Sequence, residues 1–123
     1  MTGKTLMVVG TMSSAGKSLL VTGLCRIFSR MGYKVAPYKS QNMSNNAAVC
    51  ADGSEIGRAQ YTQALACGIE PTPNMNPILL KPEADSRSQI IVMGKPYANL
   101  SARNYYKHKD KLWGIATKAL DDL

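Results

Sequence analysis

Short apolar runs alternate with amphipathic stretches along this chain, and glycine, proline or polar clusters separate them. The run Thr5-Leu-Met-Val-Val9 predicts a first strand. From Ser18 to Met31 the period changes. Leu20, Leu24, Ile27, Phe28 and Met31 fall at the i, i+4, i+7, i+8, i+11 spacing of a helix laid on a sheet, and Gly32 stops it. Lys34-Val-Ala-Pro-Tyr38 predicts a second short strand, with Pro37 suited to its end. Strand, helix and a short return to a strand make a right-handed parallel unit. A second helix is expected from Ser54, capped by Ser54 or Asp52, to about Cys67, with Gly68 and Pro71 beyond it. Met75–Pro82 and Ser88–Met93 read as two strands of a hairpin joined through Glu83 to Arg87. Gly94-Lys-Pro-Tyr97 reads as a turn. From Ser101 one helix is expected to run to the end, with Ala102, Tyr105, Leu112, Ala116, Ala119 and Leu123 on its buried stripe and Trp113 beside it.

The join between the first strand and the first helix is Gly10-Thr-Met-Ser-Ser-Ala-Gly-Lys-Ser18. Strand, glycine-containing loop, Gly-Lys-Ser and helix is the context of a phosphate-binding loop. Polyphosphate needs several backbone N–H donors converging on it, so the loop must be tight, and Gly10 and Gly16 give it that freedom. The helix start near Lys17 turns free N–H groups and a positive dipole end toward the anion. The Lys17 ammonium can reach the β and γ phosphates of such a ligand, and the Ser18 hydroxyl can take a place on Mg²⁺. The common loop has four residues between its first Gly and the Gly-Lys pair. Here five, Thr11 to Ala15, stand between Gly10 and Gly16. That longer loop resembles the one in dethiobiotin synthetase and its relatives. The expected fold class is α/β, P-loop NTPase-like, with a mostly parallel sheet flanked by helices.

Composition narrows the picture. The 123 residues hold 15 Lys and Arg against 8 Asp and Glu, a net charge of +7, which suits phosphate, nucleic acid or a polycarboxylate. The charges are dispersed and no basic stripe alternates with stacking aromatics, so nucleic acid is not expected as a partner. Cys25, Cys50 and Cys67 form no CxxC pair, which implies neither a disulfide framework nor a zinc site and points to a reducing cytoplasm. No apolar run approaches the ~20 residues of a membrane span, and Met1-Thr-Gly-Lys4 lacks a secretory pattern. His108, between two lysines, reads as part of a solvated face, and Tyr105-Tyr106 as packing.

The stretch Lys39-Ser-Gln-Asn-Met-Ser-Asn-Asn46 follows the second expected strand and is dense in amides and hydroxyls. Loops at the carboxyl ends of parallel strands form the ligand crevice of an open sheet, so this loop is expected to face the phosphate loop. On composition alone it also reads as a solvated loop. Glu55, in the first turn of the expected second helix, either complements the helix dipole or aims a carboxylate at Mg²⁺. Arg58 either binds an anion bidentately or is a surface charge.

A resemblance covers nearly the whole chain in order. Gly10-Thr11-x-Ser13-x-Ala15-Gly16-Lys17-Ser18 followed by Gly23-Leu24-Cys25-Arg26 resembles the start of the cobyric acid synthase family. So do Lys39-x-Gln41-Asn42-Met43-Ser44-x-Asn46, Glu55-Ile56-Gly57-Arg58-Ala59-Gln60, Met75–Pro82, Ser88-Gln89 and Ser101-Ala102-Arg103-x-Tyr105. The resemblance implies a glutamine-dependent enzyme of cobalamin synthesis. Such enzymes use ATP to amidate the b, d, e and g carboxylates of adenosylcobyrinic acid a,c-diamide through an acyl phosphate. Ammonia comes from a separate glutaminase domain. It further implies that Gly10, Thr11, Ser13, Ala15, Gly16, Lys17, Ser18 and Leu19 bind the nucleotide and that Ser18 and Glu55 hold Mg²⁺. Lys17 and Lys39 would act on the reacting groups, and Lys39, Gln41, Asn42, Ser44, Asn46 and Arg58 would contact the corrinoid. Three strands or so are few to bury both faces of a parallel sheet. Residues 1–123 are therefore expected to be the N-terminal part of a synthetase domain, inactive alone, with the glutaminase domain elsewhere. Three other readings stay open: the sister a,c-diamide synthase, which the Gln-Asn-Met-Ser block disfavours; a partition-type ATPase, which has Lys where Thr11 stands; and a non-catalytic nucleotide-binding module.

Overall fold

The computed structural model describes residues 3–123. Helix α1 spans Lys17–Arg30, followed by short strands β1 (Gln41–Met43), β2 (Ala47–Val49) and β3 (Glu55–Gly57). Helix α2 runs Arg58–Cys67, and a single 3₁₀ turn, Pro73–Met75, leads into β4 (Ile78–Pro82). Strands β5 (Arg87–Val92) and β6 (Lys95–Ser101) and helices α3 (Ala102–Tyr106) and α4 (Lys109–Asp121) complete the order.

The fold is α/β, with a mixed four-stranded sheet in the order β1-β4-β5-β6 and a separate β2-β3 ribbon. β1 runs parallel to β4, with Asn42 opposite Leu79. β4, β5 and β6 form an antiparallel meander. Alternation along β4 buries both faces. Ile78 and Leu80 join Ile90, Leu112 and Ala116 in a core cluster under α4, while Leu79 and its cross-strand partner Ile91 are buried on the other face. The expected hairpin is therefore β4–β5, and its turn takes Asp85 and Ser86 into the left-handed region at φ 61° and 57°.

Several expectations are corrected. The expected turn at residues 94–97 is mostly strand: the turn is Met93-Gly94, with φ 49° and 79°, the double positive φ that a two-residue hairpin needs. β6 tolerates Pro96 because it is an edge strand and its register shifts where Ile91 meets Pro96. The expected C-terminal helix breaks at Lys107-His108 into α3 and α4, where the His108 Nδ1 and the Tyr97 hydroxyl hydrogen-bond at 2.8 Å. Ser101 caps α3 by accepting from the Asn104 N–H. The second helix begins at Arg58, because Ser54 is held in a turn by Asp52 and residues 55–57 pair with β2.

Residues 5–9 and 34–38, expected as strands, join no sheet. A strand needs a hydrogen-bonded neighbour, and none of the strands among the described residues lies against them. Leu6, Met7 and Val9 accordingly stay 68%, 82% and 77% exposed. The stripe expected on α1 is only partly covered: Leu20, Ile27 and Met31 are exposed, Leu24 and Phe28 are half-buried, and Cys25 is the helix's buried residue, against α2.

Two glycines give opposite predictions. At Gly94 a Cβ would lie 2.1 Å from the Ser54 Cβ and 2.9 Å from its Cα, on a backbone at φ +79°. Gly94→Ala is expected to cost about 2–4 kcal/mol through overpacking and left-handed strain. Gly114, inside α4, has open space around its Cα, and Gly114→Ala should stabilise by about 0.5–1 kcal/mol. Urea unfolding midpoints of both variants measure this contrast.

Candidate functional site

The loop from Gly10 to Gly16 leads directly into α1. Gly16, at the N-cap of α1, lies at φ 91° and ψ 13°, a left-handed conformation that releases the helix start from the loop. Lys17 folds back over the loop and its Nζ donates to the Met12 carbonyl at 2.8 Å. Gly10 lies beneath it: a Cβ there would stand 3.1 Å from the Lys17 Nζ. A side chain at Gly10 would press on that of Lys17, so the glycine leaves the ammonium its place over the loop, which fits an anion. Thr11, Ser13, Ala15, Ser18 and Leu19 are exposed around it.

The expected polar loop is partly strand. Gln41, Asn42 and Met43 form β1, since a parallel partner, β4, is available to them. Lys39 precedes the strand, and its Nζ donates to the Asn42 Oδ1 at 3.0 Å. The Asn42 Nδ2 in turn donates to the Gln60 Oε1 at 3.1 Å. Asn76 accepts from the Gly57 N–H at 2.9 Å and donates to the Lys39 and Ile78 carbonyls, each at 3.0 Å. Ser44 accepts from the Asn46 N–H at 3.0 Å, shaping the turn after β1. The Tyr105 hydroxyl donates to the Gln41 side chain at the rim of a groove of about 350 Å³. Met43, Leu80 and Pro82, near the carboxyl ends of β1 and β4, line that groove. This is the end at which parallel strands present ligands.

Glu55 and Arg58 are placed differently from expectation. Glu55 belongs to β3, so it has no helix dipole to complement, and its carboxylate pairs with the Lys81 Nζ at 2.5 Å. A Mg²⁺ role for Glu55 would require it to exchange that partner. Among the described residues no three His, Cys, Asp or Glu side chains gather as a metal cluster. Arg58 is exposed and donates to the Ala47 carbonyl at 3.0 Å, bracing β2.

Helix α2 joins the two halves of the site. Gln60, Gln63, Ala64 and Cys67, its buried residues, lie at i, i+3, i+4 and i+7. Gln60 reaches Asn42, and the Gln63 Nε2 donates to the Ser18 carbonyl at 3.1 Å, in the first turn of α1. The Ser29 hydroxyl donates to the Cys67 carbonyl at 2.8 Å at the far end of the same contact. Gln63 had no assigned part in the site from sequence, and Gln60, Asn76, Lys81 and Tyr105 entered only as parts of motifs. Two glutamines on the buried stripe of a helix of small residues were the signal to follow.

A family pattern described as CobQ/CobB/MinD/ParA nucleotide binding domain matches residues 6–120. The chain belongs to that family. Among CobQ/CobB/MinD/ParA-domain relatives, the protein named cobyric acid synthase in Dehalococcoides mccartyi strain CBDB1 is 64% identical over 120 residues. That alignment takes in 98% of this chain and 24% of the relative. A probable cobyric acid synthase of Thermococcus gammatolerans is 59% identical over 122 residues, 98% of this chain and 25% of the relative. The cobyric acid synthase of Chloroflexus aurantiacus is 59% identical over 118 residues, 96% of this chain and 24% of the relative. The chain therefore spans about a quarter of the length of the curated relatives it matches. No solved structure matches it. No helix among the described residues is long and apolar enough to cross a membrane.

The α1–α2 contact carries a pH dependence. Burial pushes the Cys67 thiol from its ordinary 9.0 up to about 12, and burial also raises Cys25, which hydrogen-bonds to it. A raised thiol pKa means that the folded chain holds its proton while the unfolded chain has lost it. That stability is present below pH 9 and is lost as pH rises toward 12. The urea midpoint should fall over that window by more than it does in Cys67→Ala, and native Cys67 should resist iodoacetamide at pH 8 until the chain unfolds.

Proposed function

We propose that this chain is the nucleotide-binding part of the synthetase domain of a cobyric acid synthase, a cytoplasmic ligase of cobalamin synthesis. The reaction is ATP-dependent amidation of the b, d, e and g carboxylates of adenosylcobyrinic acid a,c-diamide. A carboxylate is a poor electrophile; ATP, when bound, supplies the phosphoryl group that turns one of its oxygens into a leaving group for ammonia. The observation that carries this reading is the near-complete alignment of the chain with proteins of that name at up to 64% identity, around a loop over which the Lys17 ammonium lies.

The residues divide the work by charge. Backbone N–H groups from Gly10 to Leu19, the α1 N-terminus and the Lys17 ammonium neutralise the phosphates, with Lys17 leaving the Met12 carbonyl for a stronger acceptor. Ser18 is the first Mg²⁺ ligand, and Glu55, released from Lys81, the second. Lys39 holds the reacting carboxylate near the transferred phosphoryl group, because two anions approach only where cations lie between them. Gln41, Asn42, Ser44, Asn46 and Arg58 orient the corrinoid side chains. Ammonia comes from a glutaminase domain elsewhere in the full-length enzyme, so the isolated chain should give no turnover.

Binding of ATP to the isolated chain, measured by calorimetry, tests the nucleotide half. Lys17→Ala should weaken binding at least about tenfold, the scale of one charge-assisted hydrogen bond. Glu55→Gln should weaken only the affinity measured with Mg²⁺. Unchanged binding in Lys17→Ala would remove the phosphate-loop assignment. An unchanged Mg²⁺ dependence in Glu55→Gln would remove Glu55 as a ligand.

A further inference from the structure

A carboxamide has nearly the same shape in two orientations and opposite polarity in each, so something must decide which end it presents. Asn42 presents Oδ1 to the Lys39 ammonium at 3.0 Å. Turned over, it would set an N–H₂ donor against the ammonium, leaving Lys39 to water, and its oxygen against the Gln60 Oε1. A second group, on another element, selects the same orientation from the buried side. Asn42 is 8% exposed, and its Nδ2 donates to the carbonyl end of Gln60, 3% exposed, at 3.1 Å. Gly57 leaves the space in which they meet: a Cβ there would fall 2.2 Å from the Asn42 Nδ2 and 2.6 Å from the Gln60 Oε1. The Lys39 backbone is clamped as well, its carbonyl by Asn76 and its N–H by the Met75 carbonyl at 2.9 Å. One turn beyond Gln60, Gln63 fastens the same helix to the first turn of α1.

We propose that Gln60 is a positioning residue for the amidation reaction. By accepting from Asn42 it turns Oδ1 toward Lys39 and fixes where the ammonium waits for the carboxylate. The inference rests on the reading of Lys39 as the cation that meets the substrate, and it adds the helix that aims it. The requirement is for an acceptor at position 60. Gln60→Glu keeps one, whereas Gln60→Met keeps the shape and loses it.

Competitive acetylation of the folded chain with trace acetic anhydride, read by mass spectrometry, compares Lys39 with exposed Lys4. Gln60→Met should raise the Lys39 to Lys4 ratio at least about threefold, since the ammonium loses an oriented acceptor. Gln60→Glu keeps the acceptor and adds a negative charge, so it should hold the ratio at or below the wild-type value. An unchanged ratio in folded Gln60→Met would overturn the proposal. Should that variant not fold, the wild-type chain still decides. The Asn42 side-chain NH₂ should exchange with solvent at least about tenfold more slowly than that of exposed Asn45 by NMR, and equal exchange overturns the proposal. Failure of the underlying reading has a different signature. Lys39→Ala would then leave affinity for adenosylcobyrinic acid a,c-diamide unchanged while the Gln60 effects on acetylation persist.

Discussion

Amides buried without partners are expensive, and this fold is arranged so that none lacks one. Asn42, Gln60, Gln63 and Asn76 are all buried, and no buried side-chain nitrogen or oxygen among the described residues is without a hydrogen-bond partner. Asn76 alone ties the β3–α2 junction, the segment before β1 and the start of β4. An apolar residue there would leave the Gly57 N–H and the Lys39 and Ile78 carbonyls unmatched, at about 1–3 kcal/mol for each group kept from water. The parallel pairing of β1 with β4 depends on that tie, because it brings the two segments into register where the ladder begins.

Helix α2 follows from the same constraint. Its buried stripe has the spacing of an ordinary core helix but carries two glutamines, so its packing is directional where an apolar stripe would be adaptable. A rotation of the helix by one residue would break the bonds to Asn42 and Ser18 together. The phosphate loop and the Lys39 segment, distant in sequence, are thus referred to one rigid element. A catalytic arrangement needs this, since small misplacement of reacting groups is costly.

Much of this was legible in the chain itself. The phosphate loop, the start of α1, the β4–β5 hairpin and the helical character of 58–67 and 109–121 follow from glycine placement and period. Three features were hidden for physical reasons. β1 looked like loop because Gln41-Asn-Met carries no strand-like apolar pattern; its pairing is dictated by β4 and Asn76. β6 was masked by Pro96, acceptable only on an edge. Residues 5–9 and 34–38 read as strands by pattern but join no sheet, because a strand is a property of pairs and a single segment's sequence says nothing of its neighbour. In the site, Lys17 and Lys39 stood out as cations in motifs. The glutamines of α2 behind them did not, because a buried glutamine and a solvated one look alike in sequence.

The outer edge of the sheet has a consequence for solubility. β6 exposes one row of backbone groups, a template on which another chain can add a strand. Pro96 withholds an N–H from that row, the register shift at Ile90–Ile91 bends it, and Lys95 sets a charge at its start. Arg87 and Glu83 both hydrogen-bond to Asn99, so polar side chains fill the same margin. Each of these features works against the addition of a further strand at that edge.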